Sequence, residues 1–411
     1  MASRDTLITG LDVGTHTVRA VIARGHRDRG IEILGVGTFP SAGVRKSVIV
    51  DAAEIVPIAR ATVEAAERDA KLEVNSVFAG ISGGHVHSSN AAAVLNILDS
   101  DTTIHSKHIH ELLEKARANA AEKGREFLHA IPQEYRLDGH GGVQNPVGLE
   151  AARIEAGVHM ITADHTLLEN HGRAINDCGF RVEDICLDVI ADGHAVLSEQ
   201  EKRDGVLLLD VGAGSSGYAV YFNNTVYYSN VFAVGGDHVT NDLALGLRLN
   251  HQEAEDLKCS FGRLHQMNDE DRNVIKIKTA EKKTKSLSRP DVEMIIDSRL
   301  EELLQFIADD VDQRQYRPLL ASGVVCVGGT TALHGFSAKA EKVFGTRVRI
   351  AAPTLRTPEA ASEGVEFYSA RHEYLHDTTY STVLGLVKYG YLSQLATQES
   401  SRGLLRRLFS L

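Results

Sequence analysis

Cysteine is scarce in this chain of 411 residues: Cys178, Cys186, Cys259 and Cys326 are the full set, and no two stand in a C-x-x-C spacing. Neither a disulfide framework nor a zinc site is indicated, and a reducing compartment fits. No run of 18 or more apolar residues occurs, so no helix is expected to cross a membrane. No long apolar run follows a basic segment at the start, so no signal peptide is expected. Positive charge is short as well. Lys and Arg number 44 against 55 Asp and Glu, a formal net charge of −11, which argues against a nucleic-acid binder. What remains is ordinary for a globular protein, 43% hydrophobic and 24% charged, with enough length for two domains or more.

The most informative stretch is Leu207-Leu-Leu-Asp-Val-Gly-Ala-Gly-Ser-Ser-Gly-Tyr-Ala-Val-Tyr221. It predicts a buried strand, a tight glycine turn and a return strand. Glycines let backbone come close to a ligand, and successive N–H groups in such a turn form an anion-binding nest. Asp210 at the strand end suits a hydrated divalent cation beside a polyphosphate. Alone, the turn is an ordinary hairpin. The Leu-Asp-Val-Gly opening recurs, however, at Leu11–Gly14. Two distant copies predict a duplicated domain, one phosphate loop per half, clamping a nucleotide and Mg²⁺ between them.

Residues 7–24 read as the two strands around the first loop, and 31–36 as a third. A helix is expected over 52–70 and a strand over 77–82, a pattern of sheets flanked by helices. A small α+β unit follows at 84–164, with strands over 91–98, 127–137 and 154–162 and a helix over 107–123. Its His85, His87, His105, His108 and His110 read as solvated side chains rather than metal ligands. Helix 166–178, strand 180–187 and helix 188–201 lead to the second loop. Strand 226–234 then runs into Gly235-Gly236-Asp237, a helix start suited to phosphate, with helix 238–247 beyond. In 251–260, Glu253, Glu255 and Lys258 are expected on one helix face. Lys276, Lys278, Lys282, Lys283, Lys285 and Arg289 make a basic stretch, either a solvated hairpin face or a seat for an acidic peptide or lipid headgroups. A long amphipathic helix over 291–312 carries Arg299 and Glu302. Strand 322–328 ends in Gly328-Gly329-Thr330-Thr331, suited to backing an adenine ring or phosphate, with a helix from Ala332. A short strand at 348–351 and a helix at 380–390 close the fold.

Residues 393–401 read as a polar linker. Beyond it, Leu404, Leu405, Leu408, Phe409 and Leu411 share one helical face, bordered by Arg402, Arg406 and Arg407. Such a segment suits the membrane interface, where acidic lipid adds roughly 1 kcal/mol per arginine. Docking on the domain itself is the alternative.

The paired Asp-x-Gly loops, Val234-Gly-Gly-Asp237 and Val327-Gly-Gly-Thr-Thr331 resemble the actin-like ATPase superfamily. His129-Ala-Ile-Pro-Gln-Glu-Tyr-Arg136, Asn145-Pro-Val-Gly148 and Gly157-Val-His-Met-Ile-Thr162 narrow the resemblance to the FtsA family of bacterial cell-division proteins. The resemblance implies an α/β, two-lobed actin-like (ribonuclease H-like) fold with duplicated mixed sheets and an inserted subdomain. The first lobe would comprise 1–83, 165–203 and 372–392, with 84–164 inserted. The second would comprise 204–243 and 320–371, with 244–319 as its accessory subdomain. ATP would contact Asp12, Gly14, Thr15, His16, Thr17 and Arg19 in the first loop. In the second it would contact Asp210, Gly212, Gly214, Ser215 and Ser216. Gly235 and Gly236 would approach the phosphates, Glu255 and Lys258 the nucleoside, and Gly328, Gly329 and Thr330 the adenine. Asp12 and Asp210 would hold Mg²⁺ through water.

The family also implies filament formation, peripheral attachment to the cytoplasmic face of the inner membrane at the division site, and a docking surface for the FtsZ C-terminal tail that includes Arg299 and Glu302. Later division proteins would meet residues 84–164. Two departures bear on hydrolysis. Gly217 stands where many relatives carry a carboxylate, and Thr17 where some carry lysine, with Arg19 nearby to supply positive charge. Phosphoryl transfer needs placed charge and an oriented water, so these departures touch turnover more than binding. A small-molecule, sugar-type kinase of the same superfamily is the alternative. It lacks an assignable catalytic aspartate, and the terminal amphipathic segment does not fit it.

Overall fold

The computed structural model describes residues 5–97, 102–261, 273–278, 284–356, 366–369 and 371–399. Segment 402–411 and Lys282 and Lys283 lie outside the described residues.

Two sheets repeat one plan. In the first, strand Thr6–Val13 pairs antiparallel with Thr17–His26 and parallel with Ser76–Ile81; Gly30–Pro40 lies outside the hairpin and Arg181–Leu187 outside the parallel strand. In the second, Val206–Val211 pairs antiparallel with Ser216–Phe222 and parallel with Val324–Val327, with Thr225–Phe232 and Val348–Ile350 in the matching outer places. Even the register repeats: Asp12 faces Arg19 across its hairpin, and Asp210 faces Gly217 across the other. This is the duplication that the paired Leu-Asp-Val-Gly openings predict.

The inner strand of the second sheet is apolar but for Asp210 near its end because both its faces are covered. Side chains alternate across a strand. Leu207, Leu209 and Val211 enter a core with Leu243, Leu257, Ile296 and Leu304 of the accessory helices. Val206 and Leu208 enter a central core with Ile8, Val21, Val189, Ile190, Leu384 and Val387, which joins the lobes. Leu11, Val18 and Ile22 meet Ile55, Ala59 and Val63 on the outer side of the first sheet. Those last three lie on helix Ala52–Ala70, whose N-terminus Asp51 caps by accepting from the amides of Ala53 and Glu54.

The inserted subdomain is a four-stranded antiparallel sheet in the order Val86–Asn96, Arg153–Asp164, Arg125–Leu137, His140–Val143, covered by helix Ser106–Ala120. Buried histidines tie it to both lobes. His129 Nε2 accepts from the Leu187 amide at 3.0 Å, and His159 Nε2 accepts from Ser229 Oγ at 2.9 Å while Nδ1 meets Asn90 Oδ1 at 2.7 Å.

Several expectations need correcting. Strands Leu355–Arg356 and Phe367–Tyr368, expected within the second-lobe stretch 320–371, extend the first lobe's sheet instead, Phe367 standing opposite Ile31. The free edge of Gly30–Pro40 offers them backbone partners. Helix 188–201 is two helices, Asp188–Val196 and Glu199–Asp204, because Ser198 and Glu201 form a capping box at the break. No α-helix starts at Ala332: Gly329–Ala332 is a 3-10 turn, and the helix runs Phe336–Phe344 behind left-handed Gly335. The closing helix spans Ser381–Glu399, so most of the stretch read as a linker is helical. Among the described residues no helix is long and apolar enough to cross a membrane.

Candidate functional site

The two glycine turns face each other across a cavity of about 420 Å³ between the lobes. Both close the same way. The Gly14 amide donates to Thr17 O, and the Gly212 amide to Ser215 O, each at 3.1 Å. Asp12, Gly14, Thr15, His16, Thr17 and Arg19 line one wall. Opposite stand Asp210, Gly212, Gly214 and Ser215, with Glu255, Lys258, Gly328, Gly329 and Thr330 around the rim.

Three expected residues do not line it. Ser216 opens the return strand, so its side chain points opposite to that of Ser215; Oγ donates to Val234 O at 2.8 Å. Gly235 and Gly236 lie beneath the second loop. The Gly236 amide donates to Gly212 O and the Asp237 amide to Ala213 O, both at 2.9 Å, so these amides brace the loop. The glycines are needed for that contact: a Cβ on Gly235 would sit 2.6 Å from Gly212 O.

Carboxylates dominate the floor. Asp12, Asp188 and Asp210 line the cavity, and Asp192 lies buried nearby with Thr382 Oγ1 donating to its Oδ1 at 2.9 Å. Burial raises all four above the ordinary carboxylate range. Mutual repulsion adds to this for Asp188, Asp192 and Asp210, while Arg19 works against it at Asp12. Arg19 Nη1 stands 3.8 Å from Asp12 Oδ2, its guanidinium 5.2 Å from the centre of the Tyr380 ring. Asp188 Oδ1 and Asp192 Oδ2 are buried without a hydrogen-bond partner among the described residues. Such a cluster is short of positive charge.

Side chains also cross the cleft. His16 Nε2 lies 2.7 Å from Asp237 Oδ1, and Nδ1 lies 3.8 Å from Glu255 Oε1; the hydrogen bond to Asp237 raises the imidazole above its ordinary pKa. Lys258 Nζ pairs with Glu255 at 2.7 Å and donates to Thr240 Oγ1 at 2.9 Å. Burial pushes the Glu255 carboxyl up, but Lys258 outweighs it and holds the group low. Glu253 does not share that face: it accepts from the Asn250 amide at the helix start. Ser47 Oγ meets Ser215 Oγ at 2.8 Å, and the Ser47 amide donates to Thr15 Oγ1 at 3.0 Å.

Ser47, Asp188, Thr378, Thr379 and Thr382 line the cavity without having been singled out. For Asp188 a signal existed: Leu187-Asp-Val189 repeats the Leu-Asp-Val of both loops and likewise ends a strand of the first sheet. The threonines carry no comparable pattern.

Away from the cleft, Arg299 Nε donates to Asp242 Oδ2 and Nη1 to Glu302 Oε2, each at 2.6 Å. Lys285 is turned out of the basic stretch. Its Nζ donates to Leu247 O at 2.8 Å and Arg248 O at 3.0 Å, closing the end of helix Gly236–Leu247, whereas Lys276 and Lys278 are exposed.

Duplicated sheets closing on a cleft define the class of protein: an actin-like fold with an inserted α+β subdomain. Solved structures share it. The chain resembles a structure of the PilM-PilN type IV pilus biogenesis complex at a TM-score of 0.66 and 14% identity, covering 93% of this chain and 98% of that one. MreB5 of Spiroplasma citri bound to ADP gives 0.57 and 11%, covering 96% and 99%. Family models match over residues 207–385, "Cell division protein FtsA", and 83–162, "SHS2 domain inserted in FTSA". The chain is 30% identical to the cell division protein FtsA of Pseudomonas aeruginosa over 395 residues, 94% of this chain and 90% of that one. It is also 30% identical to that of Escherichia coli strain K12, over 95% and 91%. The chain belongs to the FtsA family of cell division proteins.

Proposed function

We propose that this chain binds Mg-ATP between its lobes, assembles into filaments, and ties FtsZ filaments to the cytoplasmic face of the inner membrane at the division site. One observation carries the reading: both Asp-Val-Gly turns meet in one cavity where, among the described residues, Asp188 and Asp210 have no ion-pair partner. That donor set suits Mg²⁺, a hard cation that keeps several waters and takes one or two carboxylates. Asp12 and Asp210 would hold it, with Asp188 behind, and when bound it would neutralise phosphate charge. The cradle fits a close backbone approach too. Gly328 has φ +91, and a Cβ there would lie 2.3 Å from Asp210 Oδ1.

The protein's own groups supply the rest. The glycine turns would bring backbone close to the phosphates, and Arg19 and Lys258 both add positive charge to the cavity lining. The His16 contacts to Asp237 and Glu255 draw the lobes together. Gly217, opposite Asp210, brings no carboxylate to orient water, so binding rather than turnover is the role assigned. Segment 402–411 would bind anionic lipid. Arg299 and Glu302, on a subdomain that also exposes Leu245, Met294 and Phe306, would meet the FtsZ tail, and the inserted subdomain neighbouring protomers and later division proteins.

Calorimetry tests the cleft. Wild-type protein should bind ATP more tightly with Mg²⁺ than with EDTA, and Asp210→Ala should lose that difference. Equal affinity in EDTA, or a wild-type response from Asp210→Ala, would overturn the assignment.

A further inference from the structure

A second cavity, of about 700 Å³, shares no lining residue with the first. Helix Asp188–Val196 serves both, giving Asp188 to the cleft and Ile190, Gly193 and His194 to the second cavity. Its apolar walls come from three parts of the molecule: Ile131 of the inserted subdomain, Ile190, Leu197 and Leu392 of the first lobe, and Val226 of the second. The size and lining suit a small ligand, which such sites hold by apolar contact and orient by a few placed polar groups.

The placed polar group here is Lys388. It lies on the long closing helix, well covered, and its ammonium forms no hydrogen bond or ion pair among the described residues. The other charges are accounted for. Lys202 Nζ is paired with Glu199 Oε1 at 3.1 Å, and Glu366 stands exposed. Burial first, and then Lys202, depress the Lys388 ammonium to about 8, while Glu199 and Glu366 pull the other way. A half-buried lysine without a protein partner carries a desolvation cost, and an anion beside it would reduce that cost.

We propose that this cavity binds a single-chain anionic amphiphile, its carboxylate on Lys388 and its hydrocarbon body along Ile131, Ile190, Leu197, Val226 and Leu392. The site shares no lining residue with the nucleotide cleft.

Dodecanoate, kept below its micellar concentration, is the probe for calorimetric titration of the full chain. Binding at one per chain is expected, about tenfold or more weaker in Lys388→Met and largely retained in Lys388→Arg. Affinity should fall between pH 7 and 9, as Lys388 loses its proton. Dodecyltrimethylammonium should bind far less. Unchanged affinity in Lys388→Met, equal binding of the cation, or loss of binding on deleting 402–411 would each overturn the proposal, as would no binding by wild type. Thermal melts of both variants separate a lost site from a lost fold.

Discussion

Gly214→Ala tests whether the closed cleft is the nucleotide-binding state. The φ of Gly214 is not among the positive ones, so alanine adopts this backbone without strain. The cost therefore falls on what the new methyl meets. It would lie 2.3 Å from Thr15 Oγ1, 2.8 Å from Lys46 Cα and 2.9 Å from the Ser47 amide, all on the opposite lobe. Two of these are backbone atoms that no rotamer change moves away. Overpacking of this kind costs about 1–3 kcal/mol. If it opposes closure alone, Mg-ATP affinity falls by about 5- to 150-fold. Urea denaturation should barely change, since each lobe can keep its core. Thr15→Ala in the same chain removes the nearest contact and should restore part of the loss, a coupling that a double-mutant cycle reads directly. Mg-ATP affinity within about twofold of wild type for Gly214→Ala would refute the reasoning.

Three further outcomes are expected. Burial lowers His129 to about 4 and His159 to about 3, the latter helped by His129, so their native forms stay neutral while unfolded histidines take up protons below about 6.5. The unfolded state then binds more protons, and stability falls as pH drops, by roughly 2 kcal/mol per histidine at pH 5. Urea melts at pH 7.5 and 5 should show a smaller acid loss for His159→Gln than for wild type, and identical losses would count against this account. Arg299→Gln should weaken binding of a peptide copying the FtsZ C-terminus with little effect on stability. Arg299→Glu sets a third carboxylate beside Asp242 and Glu302 and should also lower the melting temperature, so a variant melting like wild type contradicts the network. Deleting residues 402–411 should abolish pelleting with anionic liposomes; unchanged pelleting rules out the tail as the anchor.

Much of the fold was legible in the chain because its signals are local. The apolar run of Val206–Val211, the glycine turn and the return strand are written within one short stretch, and the Leu-Asp-Val-Gly repeat exposes the duplication. Other features depend on partners distant in sequence. Leu355–Arg356 and Phe367–Tyr368 are too short to declare a sheet, and they join whichever edge tertiary packing leaves open. The polar composition of 393–399 suggests a linker, yet the buried face of Val383, Leu384 and Val387 draws the helix onward.

The candidate site divides on the same line. Residue types and spacing by themselves determined two acidic glycine turns, each a place for phosphate, and a chain built twice on one plan. Only the tertiary structure decided which side of each turn the cavity sees. Ser215 and Ser216 are neighbours with the same chemistry, yet one faces the cleft and the other its own sheet. Gly236 and Asp237 offer amides that the second loop consumes, and Asp188 arrives at the start of a helix that belongs to neither loop. A hairpin is settled by contacts a few residues apart, whereas a cavity exists only once two lobes have packed and left it between them.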